Sequence, residues 1–173
     1  FKITDWFQAA VGLRFEKFQL IYTGERQDGT KLNKAAILDK SDFFPSTNLI
    51  FDLNEEGSQK IRTSYARTTA RPSFKEASLA EIFDPINNTF FIGNINIQPT
   101  YINNFDLRYE KYGENGDFYA ISGFYKSFKD PIELSFIRSA TGQFTPLNLG
   151  DAIVYGTEIE IRKNLGFIPG LEK

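Results

Sequence analysis

The stretch FDLRYEKYGENGDFYAISGFY, Phe105 to Tyr125, decides the fold. It reads as two strands around a short polar turn, GENGD at 113–117. In the first strand Phe105, Leu107 and Tyr109 point one way, and Asp106, Arg108 and Glu110 point the other. Side chains alternate across a pleated strand, so this pattern describes a sheet with one apolar and one polar face. The open question is whether the apolar face meets a protein core or lipid.

The same alternation recurs on both sides of this hairpin. Residues 5–23 read as a long strand with Ala9, Val11, Leu13 and Phe15 on one face. The phase then passes to Phe18, Leu20 and Tyr22, which predicts a bulge near Glu16–Lys17. Residues 43–53 and 60–69 form the next pair, joined by the turn NEEGSQ at 54–59. Strands follow at 99–112 and 118–128, the second continuing past Pro131 through IELSFI, with a break or edge at the proline. The sixth, 151–163, carries Ile153, Tyr155, Thr157, Ile159 and Ile161 opposite Glu158, Glu160 and Arg162. NLGFIPG, 164–170, is a last short turn, and LEK begins a seventh strand.

Between the strands, residues 24–42 contain Asp-Gly and read as a loop with a helical turn around NKAAIL. Residues 70–98 are rich in turn residues, with a short helix within FKEASLAEIF, and 138–150 read as a loop. The connections thus alternate long (24–42), short (54–59), long (71–98), short (113–117), long (138–150) and short (164–170). In a meander this sends all long loops to one end of the sheet. Transmembrane barrels are built in this way, with long external loops and short periplasmic turns. Strands of this length also suit a bilayer, where about 9–11 tilted residues span the apolar region. The fold class is therefore all-β: an antiparallel up-and-down meander of about six strands, forming a partial transmembrane β-barrel. Charged groups on the second face suit a water-filled lumen better than a dry core. The alternative is a soluble all-β binding module or adhesin-like sandwich, in which Arg108 and Glu160 face solvent and the apolar face packs on a second sheet.

Composition narrows the chemistry. The 173 residues carry a net charge of −2 with no basic block, which excludes a nucleic-acid footprint. Aromatics make up 16%, which favours pleated surfaces. There is no Cys or His, so disulfides, thiolate or imidazole metal sites and Ser–His–Asp triads are ruled out. Glu158 and Glu160 share a strand face without a cleft, which does not make a glycosidase pair. No enzyme activity, catalytic residue, metal or cofactor is expected. Absence of Met and the opening FKITDWF suggest a piece of a longer protein, and no run of about 18 apolar residues forms a membrane helix.

Several segments resemble the barrel domain of TonB-dependent outer-membrane receptors, particularly the type common in Bacteroidetes. FFPSTNLIFDLNEEGSQKIRTSYARTTARPSF, 43–74, is similar to that family's strand–turn–strand leading into an A-R-P-x-F loop. GNINIQPTYINNFDLRYEKY, 93–112, resembles its G-N-P-x-L-x-P segment, with Ile95 in place of Pro and Ile97 in place of Leu. ISGFYKSFKDPIE, 121–133, and YGTEIEIRKNLGF, 155–167, complete the resemblance, in order, over most of the chain. It implies that residues 1–173 are a fragment of the C-terminal part of a barrel of about 22 strands that encloses a plug. It further implies import of a large scarce solute (an iron chelate, a corrinoid or a glycan) across the outer membrane of a Gram-negative bacterium. The implied partners are the lipid bilayer, the receptor's own plug domain, the TonB energy-coupling complex and a surface lipoprotein.

Ligand or plug contacts are sought among Arg62, Arg67, Arg71 and Arg108, on the lumen side or in the loops. Against this, Arg62, Arg67 and Arg108 have Glu110 or Glu158 on neighbouring strands as partners, and Arg71 has a local hydrogen bond beside the strand-ending Pro72. Trp6, Tyr22, Phe43, Phe44, Tyr101, Tyr112, Phe118 and Tyr155 lie near strand ends, where a membrane barrel places its aromatic girdles.

Overall fold

Six long strands pair in chain order into one antiparallel sheet, the wall. They are β1 (Phe7–Glu25), β2 (Lys31–Asp52), β3 (Gln59–Ala70), β6 (Thr100–Tyr112), β7 (Phe118–Lys129) and β10 (Asp151–Arg162). The computed structural model describes residues 2–26 and 28–166. Most of the expected turn at 164–170 and the LEK strand lie outside these residues. β4 (Glu81–Asp84), β5 (Thr89–Ile92), β8 (Ile132–Phe136) and β9 (Gln143–Asn148) form a second, four-stranded sheet at the long-connection end.

Register fixes the faces. Phe7, Phe51, Ile61, Tyr109, Ile121 and Ile159 stand in one line across all six wall strands. Val11, Thr47, Tyr65, Phe105, Tyr125 and Tyr155 form a parallel line two rungs away. Among the described residues no second sheet covers this face: Leu107 is 58% exposed and Ile159 73%. The apolar band starts at Phe7 on β1 but one outward residue lower on β10, at Ile161, so it runs oblique to the strands, as in a tilted barrel wall.

The short turns match their sequence signals. At 54–57 the backbone N–H of Gly57 donates to Asn54 O, and the Asn54 side chain accepts from Gln59 N–H at 3.0 Å. At 113–117 Gly113 N–H donates to Asp117 O, with Asn115 and Gly116 both left-handed.

The long connections depart from expectation. Residues 24–42 are not a loop with a helical turn. β1 and β2 continue as a ribbon to a tight turn around Asp28–Gly29, where Arg26 N–H donates to Thr30 O. β2 pairs with β3 only from Ser46 onward; the residue before it, Pro45, has no N–H to donate. The bulge expected near Glu16–Lys17 is absent there. Pairing is regular from Phe7 to Leu20, and the shifts fall at Leu20/Ile21 and Tyr22/Gly24. The apolar residues change face instead. Beyond the wall, the face carrying Phe18, Leu20 and Tyr22 packs against residues 71–80, with Tyr22 and Phe74 rings 5.6 Å apart.

In place of a helix, FKEASLAEIF forms a single turn and then β4. Ser73 and Glu76 cap each other reciprocally, and Ala80 N–H donates to the Ser78 hydroxyl, which ends the turn. IELSFI does not extend β7. It becomes β8 and pairs with β9, which lies in the stretch read as a loop. Ala77, Ser78, Leu79, Ile97 and Pro146 make the buried centre beneath this second sheet.

Candidate functional site

The polar face of the wall carries its charges in a connected set near the short-turn end. Arg62 on β3 and Arg108 on β6 stand directly opposite each other. Glu110, one rung lower and 6% exposed, accepts from Arg62 Nε at 2.9 Å and from Arg108 Nε at 2.9 Å. The Tyr112 hydroxyl donates to the same carboxylate at 2.9 Å. Arg108 Nη2 reaches across β7 to Glu160 at 2.8 Å. The Arg108 and Arg162 guanidiniums both lie near the Phe118 ring, 5.8 and 5.7 Å from its centre. Arg108, Tyr112, Phe118, Glu160 and Arg162 line a recess of about 450 Å³. Glu110 and Glu160 compensate Arg62 and Arg108, and the shared bonds hold the side chains in place, so the set presents a polar, ordered surface to whatever occupies the interior.

Of the two carboxylates expected to serve these arginines, Glu110 does so and Glu160 takes the role expected of Glu158. Glu158 stands level with Ser122 and Arg108, whereas the Arg108 side chain leans one rung toward the short turn.

A second set lies where the wall meets the long connections. Glu16 and Asp42 are directly opposite on β1 and β2, a like-charge pair that requires compensation. Arg71 pairs with Glu16 and lies 4.7 Å from the centre of the Phe18 ring. Arg14 also reaches Glu16, at 3.0 Å. The Tyr101 hydroxyl donates to Asp42, and Arg67 sits 5.0 Å above the Tyr101 ring. The local hydrogen bond expected for Arg71 is therefore a contact 55 residues away in sequence. Arg62 and Arg108 are brought together; Arg67 and Arg71 belong to this other set.

The girdle assignment divides. Trp6, Phe43 and Tyr155 are exposed, and Trp6 stacks on Phe51. Phe44 and Phe118 are buried on the polar side, Tyr112 serves Glu110, and Tyr22 packs on Phe74. Nearness to a strand end did not separate the faces; residue parity separates Phe43 and Tyr155 from Phe44, Tyr112 and Phe118. In the long connections, Ile97 fills the buried position of the G-N-x-x-L-like segment, and the Asn94 side chain accepts from Asn96 N–H to form the turn that lacks a proline. Gly93 has no alternative: a side chain there would meet the Ser78 carbonyl at 2.5 Å. Among the described residues, no three carboxylate, His or Cys side chains converge to hold a metal.

Comparison with known proteins gives a consistent answer. The model of the family described as TonB dependent receptor-like, beta-barrel matches residues 1–171. No curated protein sequence matches. Among solved structures, the chain is similar to the Serratia marcescens hemophore receptor HasR, solved with its hemophore HasA and heme. The TM-score is 0.68 at 15% identity, over 90% of this chain and 29% of that one. It is similar to the ferric enterobactin receptor PfeA, with TM-score 0.65 and 16% identity over 94% of this chain and 23% of that one. The siderophore receptor PirA from Acinetobacter baumannii gives 0.62 and 17% over 95% and 24%. The chain spans about a quarter of the length of these receptors.

Proposed function

Because the chain belongs to the TonB-dependent receptor-like β-barrel family, whose barrels reside in the Gram-negative outer membrane, we propose that residues 1–173 are one segment of the barrel domain of an import receptor. The segment supplies six wall strands and part of the loop assembly, and the rest of the receptor supplies the remaining wall and a plug. The observation that carries this reading is the two-faced wall: an uncovered apolar face across all six strands, backed by a self-compensated ionic face. The apolar face meets acyl chains; the ionic face lines the interior. The end bearing the β1–β2 ribbon and the second sheet faces the exterior, and 53–58 and 113–117 are periplasmic turns.

The A-R-P-x-F and G-N segments support a place in the C-terminal part of a barrel of the type common in Bacteroidetes. The solute is a large scarce one, an iron chelate, corrinoid or glycan, and uptake is powered through TonB, with a surface lipoprotein as companion of the external end. Arg62 and Arg108 order the interior wall next to the plug. Arg67 and Arg71 brace the base of the external loops, where an incoming solute passes. The test is uptake by cells carrying or lacking the full-length gene, with and without TonB, over a panel of these three solute classes. The reading expects TonB-dependent uptake of one class. Uptake unchanged by loss of the gene for every class, with the protein absent from the outer-membrane fraction, overturns it.

A further inference from the structure

The second sheet is assembled from two different connections. β4 and β5 come from the connection between β3 and β6, and β8 and β9 from that between β7 and β10. Each connection contributes an antiparallel hairpin, and the two hairpins are joined by parallel pairing of Phe90 and Phe91 with Gln143 and Phe144. In the order β4-β5-β9-β8 the hairpin of the first connection is followed by that of the second, whose strand β9, leading into β10, is internal and whose strand β8, following β7, is at the edge. One apolar line crosses all four strands: Ile82, Phe91, Phe144 and Phe136. Phe136 and Phe144 are in ring contact at 4.3 Å. The line does not end at a covered edge. Among the described residues β8 pairs with β9 alone, and on its apolar side Leu134 is 60% and Phe136 67% exposed. An open edge with large exposed apolar side chains is a template for a further strand.

We propose that β8 is an internal strand of a larger external sheet, and that its missing neighbour is the next long connection of the same receptor. That segment follows the first wall strand after β10. This rests on the reading that the chain is part of a longer barrel, whose solved relatives are about four times its length. Each long connection then adds its hairpin to a common sheet, and the apolar line at Phe136 continues onto it. The external end becomes one jointed cover, in which a displacement of one connection is carried to its neighbours through backbone pairing.

The full-length receptor in outer membranes tests this. A photo-crosslinking amino acid is placed at Leu134, and separately at Phe136, and the linked peptides are identified by mass spectrometry. Both sites are expected to link to the next long connection of the same polypeptide. In parallel, Phe136→Glu is expected to raise the rate of protease cleavage within that connection about tenfold, with the amount of heat-modifiable barrel unchanged. Links only to lipid, to a different protein, or to no peptide, in a protein that is heat-modifiable and in the outer membrane, overturn the proposal and leave the barrel reading intact. A protein that is neither overturns both.

Discussion

Arg62 and Arg108 face each other across β3 and β6, and like charges so placed destabilise a sheet unless something lies between them. Glu110 does, accepting from both guanidiniums and from Tyr112. Removing it leaves two opposed cations and an orphaned hydroxyl. Glu110→Ala in the full-length receptor is expected to cost about 1–3 kcal/mol in urea-titrated unfolding, whereas Glu158→Ala, which breaks none of these bonds, should stay within about 0.5 kcal/mol. Equal effects of the two would refute the assignment. Asp117 offers a pH-dependent counterpart outside the wall. The Lys163 ammonium, with the Asn164 N–H, holds its carboxyl below the usual carboxylate range, and Lys163 is raised in turn by Asp117. A depressed carboxyl contributes stability above its unfolded pKa and loses it as pH falls through the folded value. The raised ammonium contributes below its unfolded pKa and loses it as pH rises through the folded one. The clasp between turn 113–117 and the end of β10 is therefore intact at neutral pH. A carboxyl-carbon NMR titration of Asp117 is expected to give a midpoint below the usual carboxylate range. In the Lys163→Ala variant the midpoint should move up, and no movement would remove Lys163 as the cause.

Among the elements, the strands with strict alternation were legible in the sequence and the others were not. β3, β6 and β10 begin and end within one or two residues of their expected bounds, and β7 begins where expected, because each keeps a two-residue alternation of faces bounded by turn residues. The β1–β2 ribbon was misread because its apolar residues swap faces outside the wall, where the inward side packs on residues 71–80. A face swap and a bulge look alike in a linear pattern. β4, β5, β8 and β9 have only four to six residues each, too few for a clear alternation, and the joint that makes one sheet of their two hairpins pairs Phe90 and Phe91 with the distant Gln143 and Phe144, which local pattern cannot report. The site residues divide similarly. Arg62 and Arg108 were marked by strand parity, but the Arg71–Glu16 contact was not, since it joins β1 to the segment after β3. Arg71→Ala is expected to release the 71–80 segment, with trypsin cleavage at the exposed Lys75 several-fold faster than in the parent. Gly93→Ala drives a methyl into the Ser78 carbonyl and is expected to destabilise the same segment by about 1–3 kcal/mol, read as loss of hydrogen-exchange protection at Ala80 and Gly93. Full protection in that variant would show the close approach to be unimportant.

For the whole molecule, the assignment of faces makes opposite demands on the same substitution. Arginine at Ile159, on the uncovered apolar face, is expected to destabilise the folded full-length receptor in vesicles by about 2–4 kcal/mol if it lies near the bilayer midplane. Arginine at Ser122, on the ionic face level with Arg108 and Glu158, is expected to be tolerated far better. Reversal of this order would place lipid on the other side of the wall. The parallel joint between β5 and β9 carries a separate consequence, for the order of events in folding. Wall hairpins such as β6–β7 close over a handful of residues, but Phe91 must wait for Phe144, and Asn94 for the carbonyl of Pro146, 52 positions later. Long loop closures are slow relative to local ones. The wall can thus zip hairpin by hairpin while its external cover is still an unpaired pair of ribbons, and the cover sets last, after the strands that will hold it are in place.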